Sequence, residues 1–483
     1  MSSKIVTEFF SEINSTDISY CHWKSTDHLD ASFLGDTDFD ILVKRKDAFK
    51  FEKILLDKGF VRARTPDLRT YPCVEDYIYY DSNLNKFFHF HIHYQLPCGD
   101  RWVKSFHIPL ENYILENRVY LKGFDIYNID PISEYLFFII RMNMKWRLPT
   151  KKKSVVKEND YLLNRINESN LSFDDIKSSY LYGFCDNKIL DKYYHRELSS
   201  VTIFDNFRFK RKLFNYRRLG HVFYYLCQVV RYLYRLYVEF NRRVIHNYSF
   251  GRRQLISGGR VIAFIGMDGS GKSSMLEECT EFYKKQINVT NVFLGTGRSG
   301  AGFIRRQIFK VYGSRDKNKS SSNIADSHII RKPNFLKLVW ILLCLRDRNR
   351  ELKKLFQSVA NGNLVVVDRW PQSSVNGFAD YPKLYDFCDE SGLVGILARK
   401  EKKFYEKLST VSVDKFLFFD IEPETSLDRK PNELTLSEAR EYKQAMYELT
   451  SSHFSRVTPI NAEQDFESVK VKSISAIWDS FNE

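Results

Sequence analysis

"RVIAFIGMDGSGKSS", residues 260–274, runs an apolar segment into a glycine-rich turn that carries a lysine and three serines. Within it Gly266, Gly271, Lys272 and Ser273 satisfy the spacing G-x4-G-K-[ST]. The apolar run reads as a buried strand, and the following "SSMLEECTEFYKKQ" reads as a helix. Glycines let the backbone N–H groups of such a turn close around a phosphate, and the helix N-terminus behind it adds positive potential. The candidate cradle is therefore Gly266, Asp268, Gly269, Ser270, Gly271, Lys272, Ser273 and Ser274. Lys272 is expected to reach the β and γ oxygens of a nucleotide and the Ser273 hydroxyl to ligate Mg²⁺, so the implied cofactors are ATP and Mg²⁺.

Outward from this loop the chain keeps a regular rhythm. "NVFLG", "NLVVVD", "KFLFFDI" and "RVTPIN" are strand-like and separated by helix-length segments, the pattern of a parallel α/β sheet with helices on both faces. "NLVVVDRWPQSS" delivers Asp368 to a strand's carboxyl end, where ligands gather in open α/β sheets. Asp368 can hold a metal through its water shell, and Arg369 can offset charge on a transferring phosphoryl group. Upstream, residues 1 to about 130 alternate helix and strand patterns, with "DFDILV" and "KFFHFHIHYQL" strand-like and "YDSNLNK" a hairpin turn. From "DPISEYLFFIIRMNMKWR" to about residue 250 the pattern is helical, "SFGRRQLISGG" (249–259) reads as a linker, and "SRDKNKSSSN" (314–323) as an insertion. The expected organisation is 1–145, a helical extension over 146–250, and 251–483.

Composition sets the bounds. A chain of 483 residues exceeds one ordinary core, and 43% hydrophobic with 28% charged residues is a globular balance. A net charge of +14 favours an anionic partner: nucleotide phosphates, nucleic acid or an acidic membrane surface. The eight cysteines are scattered without a CxxC or zinc spacing and read as reduced thiols. "MSSKIVTEFFSEINS" lacks the apolar core of a signal peptide, and no apolar run approaches a membrane span, so a cytoplasmic setting with at most peripheral membrane contact is expected.

Over about residues 258–483 the chain resembles the thymidylate kinase family, a group of P-loop nucleoside monophosphate kinases. The residues that carry the likeness are Asp268 inside "GMDGSGKS", Asp347-Arg348 in "LLCLRDRNRELKK", the "DRW" of Asp368, Arg369 and Trp370 followed by Ser373 and Ser374, and "FFDIEPETSLDRKPNE" with Arg429 and Lys430. The resemblance implies ATP as donor, a phosphate-bearing acceptor held by Arg348 and Arg369, Asp268 orienting an acceptor hydroxyl, and lid residues such as Arg429 neutralising the transition state. The sequence departs from the family on the acceptor side. Cys344 stands where the family has a base-stacking phenylalanine, the glutamine after the paired serines is not evident, and "LGTGRSGAGFIRRQ" replaces a proline-glycine turn. The donor side thus reads as intact and the acceptor side as rebuilt, with a nucleoside monophosphate first and a sugar phosphate or glycan intermediate second as acceptor.

The upstream segment "YCHWKSTDHLDASFLGDTDFDILVKR" holds a D-x-D, Asp38 and Asp40, whose carboxylates leave a strand on the same face and can bind Mg²⁺ carrying a nucleotide. Over about residues 15–145 the chain resembles nucleotidyltransferase-fold proteins, which casts Asp38 and Asp40 as metal ligands and Ser25 as a nucleotide contact. His91, flanked by His89 and His93, takes the place of the third carboxylate. Three imidazoles on one face could hold a metal or could be hydrogen-bonded structural groups.

"HVFYYLCQVVRYLYRLYVEFNRRV" (221–244) has helical period, with Val222, Leu226, Val229, Leu233, Leu236, Phe240 and Val244 on one side and Arg231, Arg235 and Arg242 opposite. Such a helix either docks its apolar face on a core with its arginines solvated, or lies on anionic lipid. The fold expectation is an α/β protein: an N-terminal α+β nucleotidyltransferase-like domain with a helical extension, then a P-loop kinase domain with a parallel sheet and helices on both faces. The functional expectation is Mg²⁺-dependent phosphoryl transfer from ATP to a small phosphate-bearing acceptor. Its rivals are a nucleotidyltransferase whose P-loop only senses ATP and, ranked third, a nucleotide-gated module that binds nucleic acid or an anionic membrane. Oligomeric state is open, a homodimer being one option.

Overall fold

The computed structural model describes residues 3–71, 73–99, 103–145, 152–245, 251–295, 333, 335–376, 378–431 and 434–482. The 314–323 insertion, most of "LGTGRSGAGFIRRQ" and the first two residues of the 249–259 linker lie outside them. The chain divides into two compact units, Met1–Arg253 and Gln254–Glu483.

In the first unit the strands of the main sheet are β1 (Tyr20–His22), β2 (Phe39–Val43), β3 (Val61–Arg64), β4 (Val74–Asp81), β5 (Lys86–His93), β6 (Val119–Leu121) and β7 (Ile126–Asn128). They form a mixed sheet in the order β3-β4-β5-β2-β1-β7-β6. β2 runs parallel to β5, which sets Asp40 opposite His91, and β4 runs antiparallel to β5, which sets Asp76 opposite His91. One face is packed by α1 (Lys4–Asn14) and α2 (Ala48–Asp57) around an aromatic core that includes Phe9, Phe10, Phe39, Phe51 and Phe90. Behind the sheet, α3 (Pro131–Asn143) starts with proline at its first position and with the Asp130 carboxylate accepting from the Ser133 N–H, two devices that satisfy an N-terminus. The later helices α4 (Lys153–Glu168) and α5 (Ile203–Lys212) share a core with α3 and with Cys21 and Trp23, so the helical segment is continuous with the strands' packing.

α6 (His221–Arg243) departs from the docked-helix expectation. Its buried positions are Tyr224, Val238 and Asn241, while Val222, Leu226, Val229, Leu233, Leu236, Phe240 and Val244 are each between 49% and 79% exposed. Arg231, expected in solvent, lies over the ring of Tyr71 at 5.6 Å. Tyr224, Val238 and Asn241 make the contacts from the polar side, so the helix presents its apolar side outward. Among the described residues no helix is long and apolar enough to cross a membrane.

The second unit is built on β8 (Arg260–Gly266), β9 (Val289–Phe293), β10 (Leu364–Asp368), β11 (Lys415–Asp420) and β12 (Val457–Asn461), all parallel, in the order β9-β10-β8-β11-β12. Val261, Ala263 and Ile265 of β8 share a core with α8 (Phe335–Ala360) and α9 (Gly392–Ser409). Ile262 and Phe264, which alternate with them, are equally buried, as a strand covered on both faces requires. α7 (Lys272–Tyr283) packs against α11 (Phe466–Asp479) and against β8 and β10. β8 is first in the chain yet central in the sheet. Connections leave it toward β9 on one side and later reach β11 on the other, which opens a crevice at the strands' carboxyl ends.

Candidate functional site

The glycine-rich loop sits in that crevice. Gly266 has φ +145°, and a Cβ there would lie 2.7 Å from the Phe419 carbonyl oxygen. At Gly269, φ is +86° and a Cβ would lie 2.8 Å from the Ser426 carbonyl oxygen. Both positions combine a left-handed backbone with close passage of a neighbouring strand or helix, which only glycine tolerates. The loop is also tied from outside, because Ser426 Oγ, on α10 (Pro423–Arg429), donates to the Asp268 carbonyl at 2.6 Å.

Lys272 opens α7 and folds back over the loop. Its Nζ donates to the Met267 carbonyl at 2.9 Å and lies 3.1 Å from Asp268 Oδ1, and the side chain is buried. Arg369 Nη2 meets the same carboxylate oxygen at 2.8 Å. Burial acts to raise the Asp268 pKa, but Lys272 and Arg369 outweigh it and hold the carboxyl below its ordinary value. Burial pushes Lys272 down, opposed by Asp268. Arg369 follows β10 directly and has φ +65°, a sparsely populated conformation for a side chain of its size. Its backbone N–H donates to the Phe264 carbonyl at 3.2 Å, which holds the main chain there against β8. Phe264, Lys272, Arg369, Trp370, Asp380 and Tyr442 line the cleft between these groups.

Ser273 Oγ donates to Asp368 Oδ2 at 3.3 Å, and Asp368 Oδ1 is buried with no hydrogen-bond partner. Burial raises the Asp368 pKa, with Lys272 and Arg369 opposing. A hydroxyl and a carboxylate with a spare buried oxygen are hard donors of the kind Mg²⁺ takes, so these residues fit that ion. Ser270 is buried within the loop, and Ser274 is exposed on the first turn of α7.

The other expected residues fall elsewhere. Arg348 is 3% exposed and engaged: Nε donates to the Leu294 carbonyl at 2.8 Å, Nη1 to Tyr405 Oη at 3.2 Å, and Nη2 lies 3.1 Å from Asp380. Arg429 binds the Ala462 carbonyl through both terminal nitrogens at 3.3 Å, outside the Asp268 group, whereas Lys430 contributes attraction to Asp268. Cys344 is buried. Sequence reasoning missed Asp380, Tyr442 and Gln372. Gln372 is buried, donates to the Val375 and Phe378 carbonyls and accepts from the Ser374 and Val375 N–H groups, so it shapes the loop after "DRW". The family resemblance would put a glutamine after the paired serines; this one precedes them.

The first unit gathers a second polar cluster. His89 Nδ1 lies 2.8 Å from Asp38 and Nε2 2.8 Å from Asp76. His91 Nδ1 lies 3.4 Å from Asp40 and Nε2 3.0 Å from Asp76, and His93 Nε2 lies 3.3 Å from Asp40. Lys24 reaches Asp40 at 2.8 Å, and Arg253 reaches Asp76 at 3.1 Å. Despite burial, Lys24 and the imidazoles hold Asp40 well below the ordinary carboxylate range. Burial would lower His91, but Asp40 and Asp76 bring it up to about 9, while burial pushes His93 down to about 4. Ser25 stands in the left-handed region at φ 60°, in the turn after β1. Asp76, Lys24 and Arg253 were not singled out from the sequence; only the strand register brings Asp76 to His91.

No family model matches the chain. Two proteins of Escherichia coli K12 are similar to part of it. "Uncharacterized ATP-binding protein YghS" is 26% identical over 177 residues, 36% of this chain and 74% of its own length. "Uncharacterized ATP-binding protein YghR" is 25% identical over 175 residues, 36% of this chain and 69% of its own length.

Replacing Arg348 by methionine strips the buried Asp380 carboxylate of this guanidinium. Breaking a buried pair from one side is expected to cost about 3–5 kcal/mol, read as a lower denaturation midpoint, with partial recovery in the Arg348→Met/Asp380→Asn double variant.

Proposed function

We propose that the second unit binds ATP in the Gly266–Ser274 loop and transfers its γ-phosphoryl group to a small phosphate-bearing acceptor. The observation that carries the reading is the convergence of Lys272, Arg369 and Asp268 over a glycine-rich loop at the carboxyl ends of a parallel sheet. The relatives' names, which describe ATP-binding proteins, support the nucleotide part.

In this reading the loop amides and Lys272 hold the β and γ phosphates. Asp268 releases Lys272 and Arg369 toward phosphate oxygens, whose charge takes over the role the carboxylate plays without them. An acceptor oxygen attacks Pγ while the bond from Pγ to the β–γ bridging oxygen breaks, leaving ADP. Arg369 stabilises the charge on the equatorial oxygens, and where the acceptor is a hydroxyl, Asp268 orients it. Ser273 and Asp368 would hold Mg²⁺, which when bound neutralises charge on the β and γ oxygens. Arg348 acts from behind the cleft, fixing Leu294 and Asp380, and Arg369 is the cation offered to the acceptor. The chemistry is mostly positioning and charge stabilisation, and these groups suffice for it.

A second reading, nucleotidyl transfer by the first unit, draws on the three carboxylates Asp38, Asp40 and Asp76. Under it Asp38→Asn abolishes turnover and Lys272→Ala is silent.

The test is γ-labelled ATP with Mg²⁺, offered with thymidylate, other nucleoside monophosphates, and soluble and lipid fractions of a cell extract. The expected outcome is label in an acceptor at a rate at least about 100-fold lower in Lys272→Ala, the loss typical for a charge-stabilising donor. Absence of any Lys272-dependent label overturns the proposal.

A further inference from the structure

We propose that the first unit carries a transition-metal site of the zinc class, with Nδ1 of His89 and His91 and the carboxylate of Asp38 as ligands and Asp76 as the group that orients both rings. β5 alternates its side chains, so His89 and His91 share a face, and their rings lie 4.2 Å apart, centroid to centroid. Both Nε2 atoms turn to one oxygen, Asp76 Oδ1, at 2.8 and 3.0 Å. A metal-bound imidazole characteristically gives its other N–H to a carboxylate, which fixes the tautomer and aims the free nitrogen at the ion. Here one buried carboxylate does this for two rings, and both Nδ1 atoms face the D-x-D. The Asp38 oxygens lie 2.8 Å from His89 Nδ1 and 4.0 Å from His91 Nδ1, and Asp40 lies 3.4 Å from His91 Nδ1. Two donors bound tetrahedrally at about 2.1 Å sit about 3.4 Å apart, so these separations close on an ion with small side-chain shifts. The sets Asp38–His89–His91 and Asp40–His91–His93 each keep their donors within 4.8 Å of one another.

The donor set decides the class. Magnesium prefers an all-oxygen shell, whereas imidazole nitrogen suits zinc, iron, nickel and copper. Arg253 and Lys24 are the fixed cations already at the cluster, and Arg253, 3.2 Å from His89 Nδ1, is the group a bound ion displaces. The site is separate from the glycine-rich loop and stands or falls without it.

The full chain, stripped with chelator, is titrated with Co²⁺ as a spectroscopic probe and with Zn²⁺ by equilibrium dialysis. The expected result is one equivalent of either ion, with Zn²⁺ displacing Co²⁺ and millimolar Mg²⁺ failing to do so. Affinity falls at least tenfold in His91→Ala and in Asp38→Asn and is unchanged in Lys272→Ala. Asp38 is half exposed, so its variant keeps the test decisive if His91→Ala unfolds. Absence of bound metal, displacement by Mg²⁺, or unchanged affinity in Asp38→Asn overturns the proposal.

Discussion

A buried ammonium is the constraint around which the second unit is arranged. Lys272 lies under the glycine-rich loop with its Nζ on the Met267 carbonyl and against Asp268. Taking such a charge out of water is costly unless it is paired and hydrogen-bonded, and Asp268 supplies the pair. Asp268 in turn draws in Arg369, which the left-handed backbone after β10 aims back over the loop. The surrounding structure keeps this group in place: glycine where Phe419 and Ser426 pass, the Ser426 hydroxyl on the loop's backbone, and a parallel sheet whose strands all end beside it. The carboxylate balances two cations, the role that the phosphates of the proposed ligand would take over.

The two units solve their charge problems with different chemistry. The second gathers hydroxyl and carboxylate oxygens beside lysine and arginine, a set matched to phosphate and a hard cation. The first sets imidazoles between carboxylates on a sheet, with Lys24 and Arg253 completing the balance. In one the negative partner is expected to arrive as a ligand; in the other three acids are already present.

Much of the second unit is legible in the sequence because its information is local. Parallel strands buried on both faces read as short apolar runs, so "VIAFIG", "NLVVVD" and "KFLFFDI" announce β8, β10 and β11 directly. The loop is one contiguous stretch, and its glycines fall where φ is positive. What the sequence leaves dark depends on partners far along the chain. Asp380 acquires meaning from Arg348, and Asp76 from an antiparallel register with β5. Arg348 keeps the motif position expected of it, yet lies inside the protein because Leu294, Tyr405 and Asp380 enclose it. The period of α6 is equally legible, but period fixes only which residues share a face. Which face meets the protein depends on Tyr71 and the contacts at Tyr224, Val238 and Asn241, and these favour the polar side.

The central claim is that the Gly266–Ser274 loop is an ATP site. Calorimetric titration of the full chain with ATP and Mg²⁺ tests it most directly, beside Lys272→Ala and Asp38→Asn. The account predicts one saturable site, weakened at least tenfold by Lys272→Ala, equivalent to about 1.4 kcal/mol or more, and untouched by Asp38→Asn. Equal affinity in the wild type and Lys272→Ala, or loss in Asp38→Asn alone, would contradict it and place the nucleotide in the first unit.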